Sequence, residues 1–226
     1  MELIPCENGC YQIPIDITAP EEPVDRAVHR WFLGHHGAFL VWRFLLTALD
    51  RLTREHDSQL VRLAALGYDA YSVMLAYSGS CSREVYEDVI RPKMVAFDPA
   101  FSGRWARDYE PLPGLLRRAR TALGPVAAEP LSAASKANLV AHMEVMRKLV
   151  PDGQSLLRES GRTRVPTTDA ERARFDEFFL VSRENVCVSR YHAHGTAVLS
   201  AIEHDLAKHP LRPEYRDTVR TLLTHL

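Results

Sequence analysis

Two adjacent imidazoles and a guanidinium stand inside the most apolar helical stretch of this chain, Gly34-His35-His36-Gly37-Ala38-Phe39-Leu40-Val41-Trp42-Arg43-Phe44-Leu45-Leu46. Histidine and arginine desolvate badly, so an apolar helix accepts them where partners are supplied or where chemistry is done. His36 and Arg43 lie seven residues apart, two turns along one face, so they look into the same interior space. An imidazole titrating near neutrality suits general acid–base work, and a guanidinium suits the clamping of a carboxylate. Glycine inside a helix costs about 1 kcal/mol relative to alanine. Gly34 and Gly37 bracket the two histidines, which implies that something bulky approaches the backbone there.

Two later segments supply further imidazoles. Leu139, His142, Val145, Met146 and Leu149 fall on one apolar helical face, so His142 is expected to point inward. His192 and His194 share another apolar helix with Val188, Tyr191, Val198 and Leu199.

The elements that must carry these groups are helices. Residues 1–22, with three prolines, Cys6, Cys10 and the alternating Tyr11-Gln12-Ile13-Pro14-Ile15-Asp16-Ile17, read as an extended arm. Residues 23–226 then form one helical catalytic domain. The first helix opens at Pro23 under acidic Glu21, Glu22 and Asp25 and runs to about Thr53. Others are expected near 58–77, after Ser82, at 112–123, 131–150, 169–179, 186–206 and 211–226. Thr168-Asp169-Ala170-Glu171 is a capping box, and Ser78-Gly79-Ser80 and Pro151-Asp152-Gly153 are helix stops. Between them, residues 97–111 are an irregular segment dense in aromatics and arginine, a composition common in binding walls. With no strand alternation beyond the arm, the fold class is all-α, a single-domain helical bundle.

Composition removes several classes of function. Twenty-eight Lys and Arg against 29 Asp and Glu leave a net charge of −1, too weak a field to argue for nucleic acid or an anionic membrane. Arg43 and Asp50 interrupt the longest apolar run, so no membrane partner is expected. The N-terminus lacks a signal-peptide pattern, and four cysteines in 226 residues are no disulfide scaffold, which reads as cytoplasmic. Cys6 and Cys10 find no second Cys/His pair at zinc-ribbon spacing.

Nucleophile elbows, P-loops and dinucleotide fingerprints are missing. A non-haem di-iron bundle would need inward glutamates and Glu-x-x-His pairs, which do not occur. One histidine on each of two apolar helices, without a carboxylate cluster, suits haem: one imidazole ligates iron and the other moves protons on the opposite face.

His36 followed six residues later by Trp42, then a leucine-rich run to Leu49-Asp50, resembles the distal helix of the tryptophan 2,3-dioxygenase superfamily, with one residue of difference in the Trp42-to-Leu49 spacing. His36-x5-Trp42-Arg43, Ile90-Arg91-Pro92 and Phe101-Ser102-Gly103-x-Trp105-Ala106 resemble more closely the bacterial histidine-ligated haem enzymes that hydroxylate L-tyrosine to L-DOPA in antibiotic and other natural-product pathways.

That resemblance implies haem b as the cofactor, an aromatic amino acid as substrate, hydrogen peroxide or oxygen with a reductant as oxidant, and a homo-oligomer. It implies an axial iron ligand about a hundred residues after the distal histidine; His142 lies 106 after His36, with His192 and His194 as rivals. His36 and Arg43 take catalytic roles, and His35 stands against the cofactor. Trp42, Phe101, Ser102, Trp105 and Tyr109 wall the substrate, with Arg91 or Arg104 as further carboxylate clamps. One branch of the family binds haem covalently through His-x-x-x-Cys; Arg183-x-x-x-Cys187 keeps the cysteine but has arginine for the histidine. A helical module that holds haem without turnover, or a non-haem iron oxygenase, are the alternatives.

Overall fold

In a computed structural model of the chain, which describes residues 3–4 and 17–225, the fold is all-α. Its helices are α1 (Pro23–Leu52), α2 (Ser58–Ser78), α3 (Arg83–Val85), α4 (Arg91–Phe97), α5 (Leu112–Ala127), α6 (Glu129–Leu149), α7 (Leu156–Glu159), α8 (Asp169–Phe178), α9 (Val188–Lys208) and α10 (Pro213–Leu223). Among the described residues the strand pairing is a two-residue parallel contact of β1 (Leu3–Ile4) with β2 (Val186–Cys187). The alternating stretch 11–16, Cys6 and Cys10 lie outside the described residues.

Local chemistry sets the helix ends. The Glu22 carboxylate accepts from the Val24 and Asp25 amides, with Pro23 as the first helical residue. Asp57 caps α2, and the Thr168/Glu171 capping box starts α8 as its sequence indicates. Pro92 neither ends nor kinks a single helix: it follows a π-helical turn, Tyr86–Ile90, and sits in the first turn of α4, where its missing N–H is harmless. The basic helix runs on past residue 123 only by bending at Gly124, whose φ of 75° is the left-handed region that glycine adopts freely.

One apolar core runs from α1 to α10. α1 packs along α2, α2 carries α6 on another face, and α9 and α10 close the bundle against α1 and α2. The two glycines of α1 mark its crossings: a Cβ on Gly34 would lie 2.8 Å from the Ser78 Cβ, and one on Gly37 would collide with Met74 and Ile202. The bulky neighbours expected there are thus α2 and α9. A buried ion pair pins the same three helices. Arg30 on α1 donates through Nε (2.6 Å) and Nη2 (3.2 Å) to the Asp205 carboxylate on α9, which also accepts from the Tyr77 hydroxyl of α2 at 2.8 Å.

By length and composition α1 does pass as a membrane span, despite Arg43 and Asp50. However, 56% of its most apolar window is buried within this fold, as in the core helix of a bundle.

Candidate functional site

The face of α1 that carries His36 and Arg43 turns toward α8 and α9. His36 meets His194 of α9 edge to face, ring centroids 6.4 Å apart. The Phe179 carbonyl lies beside the His36 ring and favours an N–H on the nitrogen that faces it. Burial, and then the neighbouring His194, hold the His36 pKa below the usual imidazole range; burial, and then Arg190, do the same for His194. Both rings are therefore neutral at pH 7, although His194 stands at the solvent rim.

One turn along α1, Phe39 lies edge-on to His36, and Trp42 follows at 5.5 Å from Phe39. Trp42 in turn meets Tyr71 of α2 and Tyr109, at 5.5 and 5.6 Å. This is an aromatic ladder from the paired imidazoles to a half-open tyrosine. Arg43 flanks it. Among the described residues its guanidinium makes no hydrogen bond or ion pair, and it lies within electrostatic reach of Tyr191, as does Asp108.

The sequence-based assignments sort unevenly onto this geometry. His36, Arg43, Trp42, Tyr109 and the rival His194 converge on one side of the bundle; His192 lies beside Tyr191 on the same turn of α9. His35 turns away from His194. Its Nδ1 bonds the Trp31 carbonyl at 2.6 Å, its ring stacks on Phe179 at 4.2 Å, and burial pushes its pKa down to about 4.

Phe101 stacks on Phe175 and Trp105 is fully buried, so both belong to the aromatic core behind Phe39 and Phe179. Ser102 accepts from the Arg104 amide, and Arg104 itself donates to the Thr163 carbonyl at 2.5 Å. Arg91 pairs with Glu159 at 2.7 Å and with Glu87 at 3.5 Å. Neither of these two guanidiniums is free to clamp a substrate, in contrast to Arg43.

His142 stands apart from this face. The residue is exposed, as His194 is, although burial still holds its pKa below the usual imidazole range, and its helix packs against α2 and α5, whereas His36 faces α8 and α9. The buried stripe of α6 is Leu131, Ala134, Asn138 and Leu149, with the Asn138 amide donating to Ser72 Oγ at 3.1 Å. Between the buried Leu131 and Leu149 the middle of this contact is made by a small and an amide side chain, and Leu139 is left 60% exposed.

Sequence reasoning missed the Phe179 carbonyl, Tyr71 and Tyr191. The three phenylalanines of α8 and its end, at three- and one-residue spacing, were the available signal. Arg183, which replaces the histidine of the attachment motif, bridges Asp108 and Asp176, and the buried Cys187 thiol accepts from the Arg190 amide at the start of α9. Two surface clefts lie elsewhere: one of about 690 Å³ between α5 and α6, and one of about 210 Å³ beside His225. Among the described residues no three or more His, Cys, Asp or Glu side chains converge as an all-protein metal site requires.

A helical bundle that sets neutral imidazoles beside an aromatic wall has the donor set of a haem-using oxidoreductase, and the sequence comparison gives the class: the chain is a peroxygenase-type enzyme that hydroxylates an aromatic amino acid. The family model that matches is SfmD 3-methyl-L-tyrosine peroxygenase, over residues 5–137, more than half of the chain, and the chain belongs to that family. The match runs from before α1 into α6; it contains His36 and Arg43 and ends before His142, His192 and His194. No curated protein matches the chain.

Membership points to a haem-type cofactor. The residues fit such a group. Iron takes the neutral imidazole, which burial enforces at both His36 and His194, and a carbonyl on the second ring nitrogen, as Phe179 provides for His36, is the usual way such a ring is oriented.

Proposed function

We propose that this protein hydroxylates L-tyrosine, or its 3-methyl analogue, at the ring carbon beside the phenol. Hydrogen peroxide is the oxidant and haem b the cofactor, in a cytoplasmic natural-product pathway. Overall, one oxygen of peroxide enters the ring and the other leaves as water. The observation that carries the reading is the facing pair His36 and His194 beside Arg43, which is unpaired among the described residues, within a chain of the peroxygenase family.

When bound, haem supplies the iron that activates peroxide for oxygen transfer. His194 is the residue we assign to hold it, with His192, two residues earlier on α9, as its rival. His142, the first choice on sequence grounds, lies on α6, which packs against α2 and α5, whereas His194 meets the His36 ring. The lone-pair nitrogen of His36, kept unprotonated by burial, takes the peroxide proton and returns it to the departing oxygen. Arg43 binds the α-carboxylate of the amino acid, two turns and about 10 Å along the helix from His36. That span is comparable with an extended tyrosine. Trp42 and Tyr109 form the wall against which the ring lies.

Protein produced with a haem precursor tests this by its absorption spectrum. A Soret band that shifts on adding tyrosine or 3-methyltyrosine, with a catechol product formed on adding peroxide, is expected. His194→Ala should lose haem, His36→Ala should keep haem and lose most hydroxylation, and His142→Ala should do neither. Full haem retention in His194→Ala, with loss in His142→Ala, would overturn the ligand assignment.

A further inference from the structure

We propose that the outward face of α6 joins two copies of this chain as an antiparallel, two-fold symmetric pair centred on Val140. The other large apolar side chains left exposed, such as Val24, Val95, Val165 and Leu180, are scattered singly over the surface. On α6, Leu139, Val140 and Met143 are 60%, 50% and 43% exposed within five residues, on the side opposite the stripe that packs against α2. Single exposed apolar residues need no explanation, but a contiguous stripe on one helix face marks an interaction surface.

What identifies the occupant as a second copy is the self-complementarity of the sequence around Val140. A two-fold axis places each residue a given number of positions after Val140 opposite the residue the same number before it in the other copy. Lys136 then meets Glu144, four positions to either side, twice over. Among the described residues neither makes an ion pair, and both are exposed. Met143 falls toward the small Ala137 of the other copy, a large side chain toward a small one, as ridges fall into grooves when helices pack, and Leu139 flanks the contact. Val140 lies on the axis against itself. Charge and size thus both match under one symmetry operation. The contact is independent of the catalytic reading, because His36, Arg43 and His194 lie on α1 and α9.

Sedimentation and light scattering of the full chain, haem supplied, over low to high micromolar concentration test this. A dimer is expected. Val140→Glu, which sets two like charges on the axis, should give a monomer with unchanged helicity and melting, since the buried side of α6 is untouched. Lys136→Glu should weaken the dimer about tenfold, and Lys136→Glu combined with Glu144→Lys should restore it, because the two pairs are re-formed with reversed sign. Val140→Cys should cross-link to itself on mild oxidation, and Val126→Cys, more exposed but off the axis, should not. A chain that is monomeric throughout, whether another segment or nothing covers the stripe, would overturn the proposal. So would a dimer indifferent to Val140→Glu, or a double charge reversal no better than the single one.

Discussion

His35 should make the fold acid-sensitive in a window set by its own titration. The ring is stacked on Phe179 with Nδ1 bonded to the Trp31 carbonyl, and burial holds its pKa at about 4, against 6.5 for an unperturbed histidine. Between those values the unfolded chain binds a proton that the native state does not, so unfolding free energy rises with pH. The contribution of the neutral ring is therefore complete above pH 6.5 and declines as pH falls toward 4. The full difference corresponds to about 3 kcal/mol, a large part of the roughly 5–15 kcal/mol by which a domain is usually stable.

His36, His194 and His29 are shifted in the same direction by burial and add to the slope. The variant that isolates His35 is His35→Asn, whose amide can still donate to the Trp31 carbonyl but does not titrate. Urea unfolding at pH 7.5, 6.0, 5.0 and 4.5 should show the wild type losing more stability on acidification than the variant, by up to about 2–3 kcal/mol at the lowest pH. Imidazole carbon shifts followed by NMR should place the His35 transition well below 5. Parallel pH profiles for the two proteins, or a His35 titration near 6.5, would refute the reasoning.

Three further outcomes follow from named contacts. Asp205→Ala leaves the Arg30 guanidinium buried without its carboxylate and should cost about 3–5 kcal/mol, whereas Arg30→Met with Asp205→Leu should recover most of it, both read by urea unfolding. Gly37→Ala, whose Cβ would strike Met74 and Ile202 at the α1 crossing, should destabilise by roughly 1–3 kcal/mol in the same assay, while Gly103→Ala, with open space around it, should be nearly neutral. Arg43→Gln should weaken tyrosine binding, measured by spectral titration of the haem-loaded protein, about ten- to a hundredfold with melting unchanged. Arg104→Gln, which removes only the bond to the Thr163 carbonyl, should leave that binding within a few fold.

Helices were legible in this sequence because their signals are local. Glu22-Pro23, Asp57 and the Thr168/Glu171 box start helices through contacts within four residues, and the α1 stripe repeats at the helical period over thirty residues. The catalytic half of the site was legible for the same reason: His36 and Arg43 share one helix, so spacing alone puts them on one face. The opposite half depends on which helix arrives there, and that choice is made by contacts far apart in sequence. Gly34 against Ser78, Gly37 against Ile202, and Arg30 against Asp205 and Tyr77 together bring α9 alongside α1.

The position of His142 has a specific origin. Apolar periodicity assumes that a helix buries its largest apolar side chains throughout, and between Leu131 and Leu149 α6 buries Ala134 and Asn138, because a close helix crossing favours small residues and Ser72 satisfies the amide. Leu139, Val140 and Met143 are consequently outside, where only a further surface can cover them. Of the four residues that pointed His142 inward on paper, Leu149 is buried and Val145 and Met146 pack against the core; Leu139 alone is outside, where it joins Val140 and Met143. The outer apolar residues of α6 are therefore evidence about assembly, since apolar area that the fold leaves in water still favours removal from it.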